Sequence, residues 1–157
     1  MTSIDTDHLR RAIAIAHRAR ANGNHPFGAL LVDAAGELVA EAENTVTSDG
    51  DPTAHAEINL VRTAGRRFDP DYLSECTLFS STEPCAMCAG AIYWAGIGRV
   101  VFALGEDELR RMTGSNAASP TLALPSREVF ARGQRSVRVE GPALLDEARA
   151  VHDGFWG

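Results

Sequence analysis

Residues 26–43 read PFGALLVDAAGELVAEAE, a pattern that is typical of a β-hairpin. The apolar residues 29–32 predict a first strand, and residues 37–43 predict a second strand that returns beside it. The segment Asp33-Ala34-Ala35-Gly36 between them has the composition of a turn. Because a hairpin pairs its strands antiparallel, a sheet that contains this hairpin and continues through helical crossovers is mixed rather than purely parallel.

Outside the hairpin, predicted helices alternate with predicted strands. Apolar residues recur at helical spacing through residues 5–22, and Gly23 ends this first helix. Pro52 is well placed to begin a second helix at residues 53–67, and residues 68–71 break it. The same reasoning predicts strands at residues 76–80, 99–104 and 136–140, and helices at residues 85–95, 107–112, 126–131 and 143–152. This alternation predicts an α/β layered domain.

Length, charge and cysteine content narrow the function classes. A chain of 157 residues fits one domain. It has no apolar run of membrane-spanning length and no basic segment followed by an apolar one at the start, so we expect a cytoplasmic protein without signal peptide or membrane contact. The net charge is −6 and all 15 basic residues are arginine, which excludes lysine Schiff-base chemistry and makes nucleic acid an unexpected partner. Three cysteines, an odd number, indicate metal or catalytic thiols rather than a disulfide framework.

Two short segments carry metal-binding residue types: Thr53-Ala54-His55-Ala56-Glu57 and Glu83-Pro84-Cys85-Ala86-Met87-Cys88. Cysteines three positions apart at the start of a helix lie on one face and can bind a single ion. Together with His55 they offer three protein ligands to Zn²⁺, one ion per chain, and leave the fourth tetrahedral position to water, as catalytic zinc sites do. Glu57, two positions from His55, is placed to move protons without binding the metal.

Parts of this pattern have other interpretations. Cys-x-x-Cys also forms redox pairs, but a thioredoxin-like motif follows an early βαβ unit, whereas this one lies in the middle of the chain. A structural zinc site needs a fourth ligand. Cys76 is the remaining cysteine, and its place at the start of a predicted apolar strand indicates a core residue.

The complete pattern, with Cys85 30 positions after His55, matches the His-x-Glu and Pro-Cys-x-x-Cys signature of zinc deaminases. The chain resembles the cytidine-deaminase superfamily, in the branch of bacterial guanine deaminases and tRNA adenosine deaminases, over residues 9–101. The segments that carry the resemblance are residues 26–29, Asn44, residues 51–57 and residues 83–94.

The resemblance implies a single domain at residues 1–157 with a three-layer α/β/α sandwich around a mixed five-stranded sheet. It also implies a homodimer and hydrolytic replacement of an exocyclic amine by oxygen, with release of ammonia.

The resemblance assigns the zinc to His55, Cys85 and Cys88 and proton transfer to Glu57. It further implies that the substrate ring is bound by the Asn44 side chain, the Ala56 backbone N–H, Phe27 and Trp94. Core packing is the alternative role for the two aromatic residues, and a turn is the alternative for Asn44.

The aromatic residues favour a free base as substrate. Phe27 and the pair Tyr93-Trp94 look more like the guanine deaminase branch than the tRNA branch. Residues 141–157 are expected to form a closing helix and an aromatic tail, Gly154-Phe155-Trp156. By the same resemblance, Trp156 closes the active site of its own chain or, by exchange, that of a neighbouring subunit. Packing on the surface is the simpler role for this tail.

One position departs from the guanine deaminases, which place an acidic residue in the loop after the fourth strand. The ungapped alignment puts Asn116 there. An amide both donates and accepts, whereas a carboxylate only accepts, so Asn116 admits cytosine-like, azacytosine-like or triazine-like rings as well as guanine. Glu106, Asp107 and Glu108 are the other candidates for this acid.

Deamination of a free nucleobase or related amino-heterocycle is therefore the leading hypothesis, with a nucleoside as a further possible substrate. A tRNA adenosine deaminase acting on the anticodon loop is the second hypothesis, and its support is the arginine-rich segment with Arg127, Arg132, Arg135 and Arg138. A structural zinc module without catalytic activity is the third.

Overall fold

The computed structural model of the protein describes residues 1–114 and 117–156. Its strands are β1 (Gly28–Val32), β2 (Leu38–Glu43), β3 (Thr77–Thr82), β4 (Arg99–Leu104) and β5 (Arg138–Glu140). Its helices are α1 (Ser3–Ala21), α2 (Val46–Asp49), α3 (Ala56–Arg67), α4 (Pro70–Ser74), α5 (Ala86–Ala95), α6 (Glu106–Thr113), α7 (Ser126–Ala131) and α8 (Leu145–Ala150). Among these described helices, none has both the length and the apolar character that crossing a bilayer requires.

The described strands form one five-stranded sheet in the order β2-β1-β3-β4-β5. β1 pairs antiparallel with both β2 and β3, whereas β3 with β4 and β4 with β5 pair parallel. In the hairpin Leu30 lies opposite Glu41, and the register shifts between Leu31 and Val32. The predicted mixed five-stranded sheet is confirmed.

Helices cover both faces of the sheet, because alternate side chains of each strand point to opposite sides. One core cluster packs α1 and α8 against the sheet and includes Leu9, Ile13, Leu30, Phe79 and Ala148. The second packs α3, α5 and α7 against the other face and includes Leu31, Leu60, Leu78, Ile92 and Phe130. The three-layer α/β/α architecture is confirmed, and the two helices that carry the metal-binding motifs, α3 and α5, lie in the same layer.

The second long helix begins at Ala56 rather than at residue 53. The Oδ1 atom of Asp51 accepts hydrogen bonds from the Thr53 backbone N–H at 2.8 Å and from the Thr53 hydroxyl at 2.7 Å. Such side-chain bonds to a nearby backbone compete with helix formation. His55 therefore keeps an extended backbone, with φ −66° and ψ 155°, and occupies the N-cap position of α3.

Two short helices were not predicted, and one predicted helix is shorter than expected. The predicted break after the second helix is confirmed, since α3 ends at Arg67. Residues 70–74 then form a short helix, because Asp69 accepts a hydrogen bond from the Tyr72 backbone N–H at 2.8 Å and Pro70 suits the first helical position. A single helical turn, α2, lies at Val46–Asp49, where the sequence predicted no element. The closing helix is shorter than residues 143–152, since Leu144 has a left-handed backbone with φ 52°.

The parallel pair β3 and β4 determines where the site lies. Parallel strands end at the same edge of a sheet, and ligands of open α/β sheets bind outside that edge. Thr82 pairs with Leu104 at the ends of the two strands. The chain continues from β3 into Glu83-Pro84-Cys85 and from β4 into Gly105 and Glu106, so both connections leave the sheet side by side.

Candidate metal centre and active site

His55 is held at the start of α3 by the loop that precedes this helix. The side-chain amide of Asn59, one turn into α3, donates to the Glu43 backbone carbonyl at 3.0 Å and to the Thr45 hydroxyl at 2.9 Å. The Thr45 backbone N–H donates to the Ala54 carbonyl at 2.9 Å. These bonds fix the segment just before His55, and the imidazole of His55 is half-buried.

The two cysteines meet His55 from the start of α5. Cys85 is the N-cap residue of α5 and Cys88 lies in its first turn. The Nδ1 atom of His55 lies 3.7 Å from Cys85 Sγ and 3.5 Å from Cys88 Sγ. All three ligand atoms lie within 4.8 Å of one another.

This geometry fits zinc. A tetrahedral ion with Zn–S of about 2.3 Å and Zn–N of about 2.0–2.1 Å holds its nitrogen and sulfur ligands about 3.5–3.6 Å apart. The observed separations of 3.5 and 3.7 Å agree with that value. One imidazole and two thiols are also the ligand types that zinc prefers. His55, Cys85 and Cys88 are the residues that would hold the ion.

No fourth His, Cys, Asp or Glu joins this cluster among residues 1–114 and 117–156. Cys76 lies in the core cluster beneath α3 and α5, and its sulfur is 3.4 Å from the Tyr72 carbonyl. Burial raises the pKa of the Cys76 thiol to about 11, which disfavours the thiolate that a metal requires. The predicted core role of Cys76 is confirmed.

The ligands polarise one another. Hydrogen bonding with Cys88, together with a weaker hydrogen bond from His55, lowers the pKa of Cys85 to about 4, although burial acts in the opposite direction. The hydrogen bond with Cys85 raises the pKa of His55. The thiolate form of Cys85, the form that binds metals, is therefore already favoured by its neighbours.

Glu57 lies in the first turn of α3, with only 5% of its surface exposed. Burial is the largest cause that raises its pKa to about 7, and the negative charge of Cys85 adds to this effect, while the positive charge of His55 opposes it. A carboxyl group with a pKa near the working pH can both accept and release a proton. Glu57 is thus beside the metal ligands and suited to the predicted proton transfer.

Three of the predicted base-binding groups, Phe27, Asn44 and Ala56, belong to the loops and the helix start that surround His55 in the sequence or bond to one another. The buried Asn44 side chain accepts a hydrogen bond from the Val46 backbone N–H at 3.0 Å, which fixes the orientation of its amide. Its backbone N–H donates to the Phe27 carbonyl at 3.1 Å. Ala56 is fully buried as the first residue of α3, where a backbone N–H has no partner within the helix.

The aromatic tail packs on its own chain. The Trp156 indole N–H donates to His152 Nδ1 at 3.0 Å, and its ring centroid lies 6.0 Å from that of Phe27 and 5.7 Å from that of His25. Burial lowers the pKa of His152 to about 4, so this imidazole stays neutral and can accept. Burial also lowers the pKa of His25, and the nearby charge of His55 adds to this effect. The tail therefore packs against His25 and Phe27 of its own chain, and closure of the active site by Trp156 stays a prediction.

Trp94 is largely exposed in the single chain. Its side chain is 84% exposed, and its ring centroid lies 5.4 Å from that of the neighbouring Tyr93. At about 100° per residue, Trp94 is turned about 120° around α5 from Cys88, which faces the metal cluster. The assignment of Trp94 to the base stays a prediction.

The sequence leaves several candidates for the residue that forms hydrogen bonds with the edge of the base. Asn116 lies outside the described residues. Asp107 is exposed and pairs with Arg111, and Glu108 pairs with Arg111 and Arg149. Glu106 is the buried one of the three acids, and burial is the largest cause that raises its pKa to about 7, with Glu83 and Cys85 adding to it.

Sequence reasoning gave no role to Glu83 or His25. Glu83 lies directly before Pro84 in the cysteine motif, and its buried carboxylate accepts hydrogen bonds from α6 and α7. The available signal was its charge directly after a predicted strand and next to the cysteine motif. His25 carried no signal beyond its position next to Pro26 and Phe27.

Three metal ligands with a buried glutamate beside them are the arrangement of a hydrolytic zinc site. Residues 2–104 match the family model described as the cytidine and deoxycytidylate deaminase zinc-binding region. The chain belongs to this family, and it is therefore a deaminase of the cytidine-deaminase type.

Individual relatives cover different shares of the chain. A probable cytosine deaminase of Schizosaccharomyces pombe is 42% identical over 154 residues, which are 97% of this chain and 92% of that protein. A tRNA-specific adenosine deaminase of Haemophilus influenzae is 41% identical over 101 residues, which are 64% of this chain and 58% of that protein. The solved structure of a guanine deaminase from Nitrosomonas europaea has a TM-score of 0.74 at 27% identity and matches 92% of this chain and 80% of that chain.

Proposed function

We propose that the protein is a zinc-dependent deaminase of a free nucleobase or a related amino-heterocycle. The observation that carries this proposal is the three-ligand cluster of His55, Cys85 and Cys88 with the buried Glu57 beside it. Three protein ligands leave one tetrahedral position for water. We expect one zinc ion per chain.

Zinc would supply Lewis acidity that makes water a nucleophile near neutral pH. Glu57 takes a proton from the attacking water and delivers it to the exocyclic amine as the carbon–nitrogen bond breaks. The oxygen of water replaces the amine on the ring, and ammonia leaves. Burial keeps Glu57 in a range where both transfers are possible, since its pKa is raised to about 7.

The base is bound by polar groups at one edge and by aromatic rings at its faces. Asn44, whose Oδ1 is already held by Val46, presents its amide N–H₂ as a donor. The unpaired Ala56 N–H offers a second donor at the start of α3. Phe27 and Trp156 contribute the stacking surface, which is worth about 1–3 kcal/mol per base.

A small base such as cytosine fits this site better than a polynucleotide. The tail at residues 151–156 packs against His25 and Phe27 and would exclude water from a small base, but it obstructs a long strand. The similarity to a probable cytosine deaminase extends over 97% of the chain. We therefore place cytosine-type rings ahead of guanine.

Ammonia release tests the proposal directly. The zinc-loaded protein is supplied in turn with cytosine, guanine, adenine, azacytosine, an aminotriazine and the corresponding nucleosides. We expect turnover of at least one free base, with cytosine-type rings preferred over guanine and over cytidine. Turnover of nucleosides alone would identify a nucleoside deaminase, and release from none of them would refute the proposal.

A tRNA adenosine deaminase is the second candidate, supported by the arginine-rich segment. Among the described residues, Arg127, Arg132, Arg135 and Arg138 form no ion pair with a carboxylate, whereas Arg127 and Arg135 donate to backbone carbonyls. A gel-shift titration with tRNA at several salt concentrations decides between the candidates. Specific binding that weakens steeply with salt supports the tRNA enzyme, and the absence of a complex supports the free-base enzyme.

We also propose that the protein is a homodimer. The support is Trp94, a large aromatic side chain that is 84% exposed on α5, because exposed aromatic residues are enriched at protein interfaces. In the single chain the tail packs onto its own α1 and β1. Exchange of the tail between subunits stays a prediction.

A further inference from the structure

Glu83 is a buried carboxylate that joins three parts of the chain at the carboxyl edge of the sheet. Its Oε1 accepts a hydrogen bond from the Glu106 backbone N–H at 3.0 Å. Its Oε2 accepts from the Ser126 backbone N–H at 2.9 Å and from the Ser126 hydroxyl at 2.7 Å. Cys85 follows two positions later. One side chain therefore links the metal-ligating turn to the beginnings of α6 and α7.

Both backbone N–H groups lack a hydrogen-bond acceptor within their own helix. Glu106 is the first residue of α6 and Ser126 is the first residue of α7, and neither helix has a side-chain hydrogen bond from its own N-cap residue. Backbone N–H groups in a first helical turn have no partner within the helix. Glu83 supplies that partner to both helices at once, and Ser126 is completely buried around it.

Helix α6, which begins at the first of these two anchors, borders the proposed base site. It leaves the sheet from β4, next to the turn that leads from β3 to Cys85. Met112 of α6 packs against the same core cluster as Phe27 and Trp156. The position at which Glu83 holds Glu106 and Ser126 thus determines the position of α6 relative to the metal ligands.

We propose that Glu83 is a positioning residue that sets the distance between the metal-ligating turn and α6, which begins at Glu106 and borders the proposed base site. This inference rests on the proposed deamination of a free base. We expect Glu83 to affect base binding more than it affects zinc binding or the chemical step.

The test compares Glu83→Gln with the unchanged protein. Glutamine keeps the size of the side chain but replaces one acceptor oxygen with an NH₂ group, which faces a donor whichever way the amide is turned. For the best base, we expect KM to rise by about tenfold or more, which corresponds to about 1.4 kcal/mol. We expect kcat to change much less and zinc to stay at one ion per chain.

Two further variants separate positioning from general stability. Ser126→Ala removes the hydroxyl donor and keeps the backbone N–H, so we expect a smaller rise in KM than for Glu83→Gln. Glu128→Gln is the matched control, because Glu128 lies in the same first turn of α7 but is exposed. We expect this control to leave KM unchanged.

Hydrogen exchange gives a measurement that does not need activity. We expect the amides of Glu106 and Ser126 to exchange faster in Glu83→Gln than in the unchanged protein and in Glu128→Gln. Unchanged exchange at both amides would overturn the inference. So would an unchanged KM with only a lower melting temperature. Loss of zinc with a normal KM in the zinc-loaded fraction would also overturn it. If the unchanged protein deaminates no base, the proposed function fails, and hydrogen exchange still decides whether Glu83 holds the two helices.

Discussion

Glu57 and the three metal ligands occupy the positions that their spacing in the sequence predicts. Residues within one helical turn have a fixed relative position, so the spacings of His55 to Glu57 and of Cys85 to Cys88 determine which side chains can converge. Trp94 lies farther along α5, and its direction depends on the helical phase over six residues. Glu83 could not be assigned from sequence, because its partners Glu106 and Ser126 are 23 and 43 positions away.

Replacing Glu57 separates catalysis from metal binding. In Glu57→Gln the shape of the side chain is kept, but the amide cannot accept the proton of water. We expect ammonia release to fall by about 10²–10⁴-fold, whereas metal analysis still finds one zinc ion per chain. Glu37→Gln, on the exposed hairpin turn, is the control. Full activity of Glu57→Gln would contradict the role of Glu57 in proton transfer.

The pH dependence of kcat/KM follows from the same residue. Burial raises the pKa of Glu57 to about 7, and bound Zn²⁺ favours the carboxylate and so moves the inflection below that value. Proton abstraction needs the carboxylate, which is lost as the pH falls. We expect kcat/KM to drop by about tenfold per pH unit on the acid side of this inflection. A pH profile that stays level or rises towards pH 5 contradicts this assignment.

At the scale of the elements, the hairpin and the alternation of helices and strands were enough to predict the sheet and its layers. Two element boundaries differ from the prediction because polar side chains form hydrogen bonds with the nearby backbone. Asp51 delays the start of α3, and Asp69 begins the unpredicted α4. The delay of α3 has a functional consequence, since it leaves His55 at the N-cap position from which its imidazole reaches both cysteines.

The aromatic tail is the element whose removal should affect base binding most. Trp156→Ala removes the ring that lies over Phe27 and His25. We expect KM for the base to rise by roughly 5- to 150-fold, the range that corresponds to a stacking energy of about 1–3 kcal/mol. Zinc content should not change. The control is Phe68→Ala, because Phe68 stacks on Tyr72 at the other end of α3.

A steady-state measurement with both variants decides the role of the tail. An equal effect of Trp156→Ala and Phe68→Ala on KM would assign the tail to surface packing. An effect confined to Trp156→Ala supports closure of the site.

At the scale of the whole molecule, the sheet places α3 and α5 in one layer, and the parallel strands β3 and β4 bring their following turns to one edge. The metal cluster therefore combines residues that are far apart in the sequence, from His55 to Cys88. The exposed Trp94 lies on the outside of the same layer. This arrangement leaves an aromatic surface that a second copy of the chain can cover.

Light scattering after size-exclusion chromatography tests the dimer. We expect the unchanged protein to have twice the chain mass of 16.8 kDa and Trp94→Asp to have the mass of one chain, because a carboxylate at the interface centre is not tolerated without a partner. Circular dichroism should show that both proteins are folded. A monomeric unchanged protein contradicts the proposed dimer.

The proposed function depends on three side chains that hold one zinc ion and leave its fourth position to water. X-ray absorption at the zinc edge of the purified protein measures these ligands. We expect one zinc per chain with two sulfur ligands at about 2.3 Å, one nitrogen ligand at about 2.0–2.1 Å and one further oxygen ligand that is not from the protein. A protein without stoichiometric zinc, or a fourth ligand supplied by a side chain, would refute the proposed metal site.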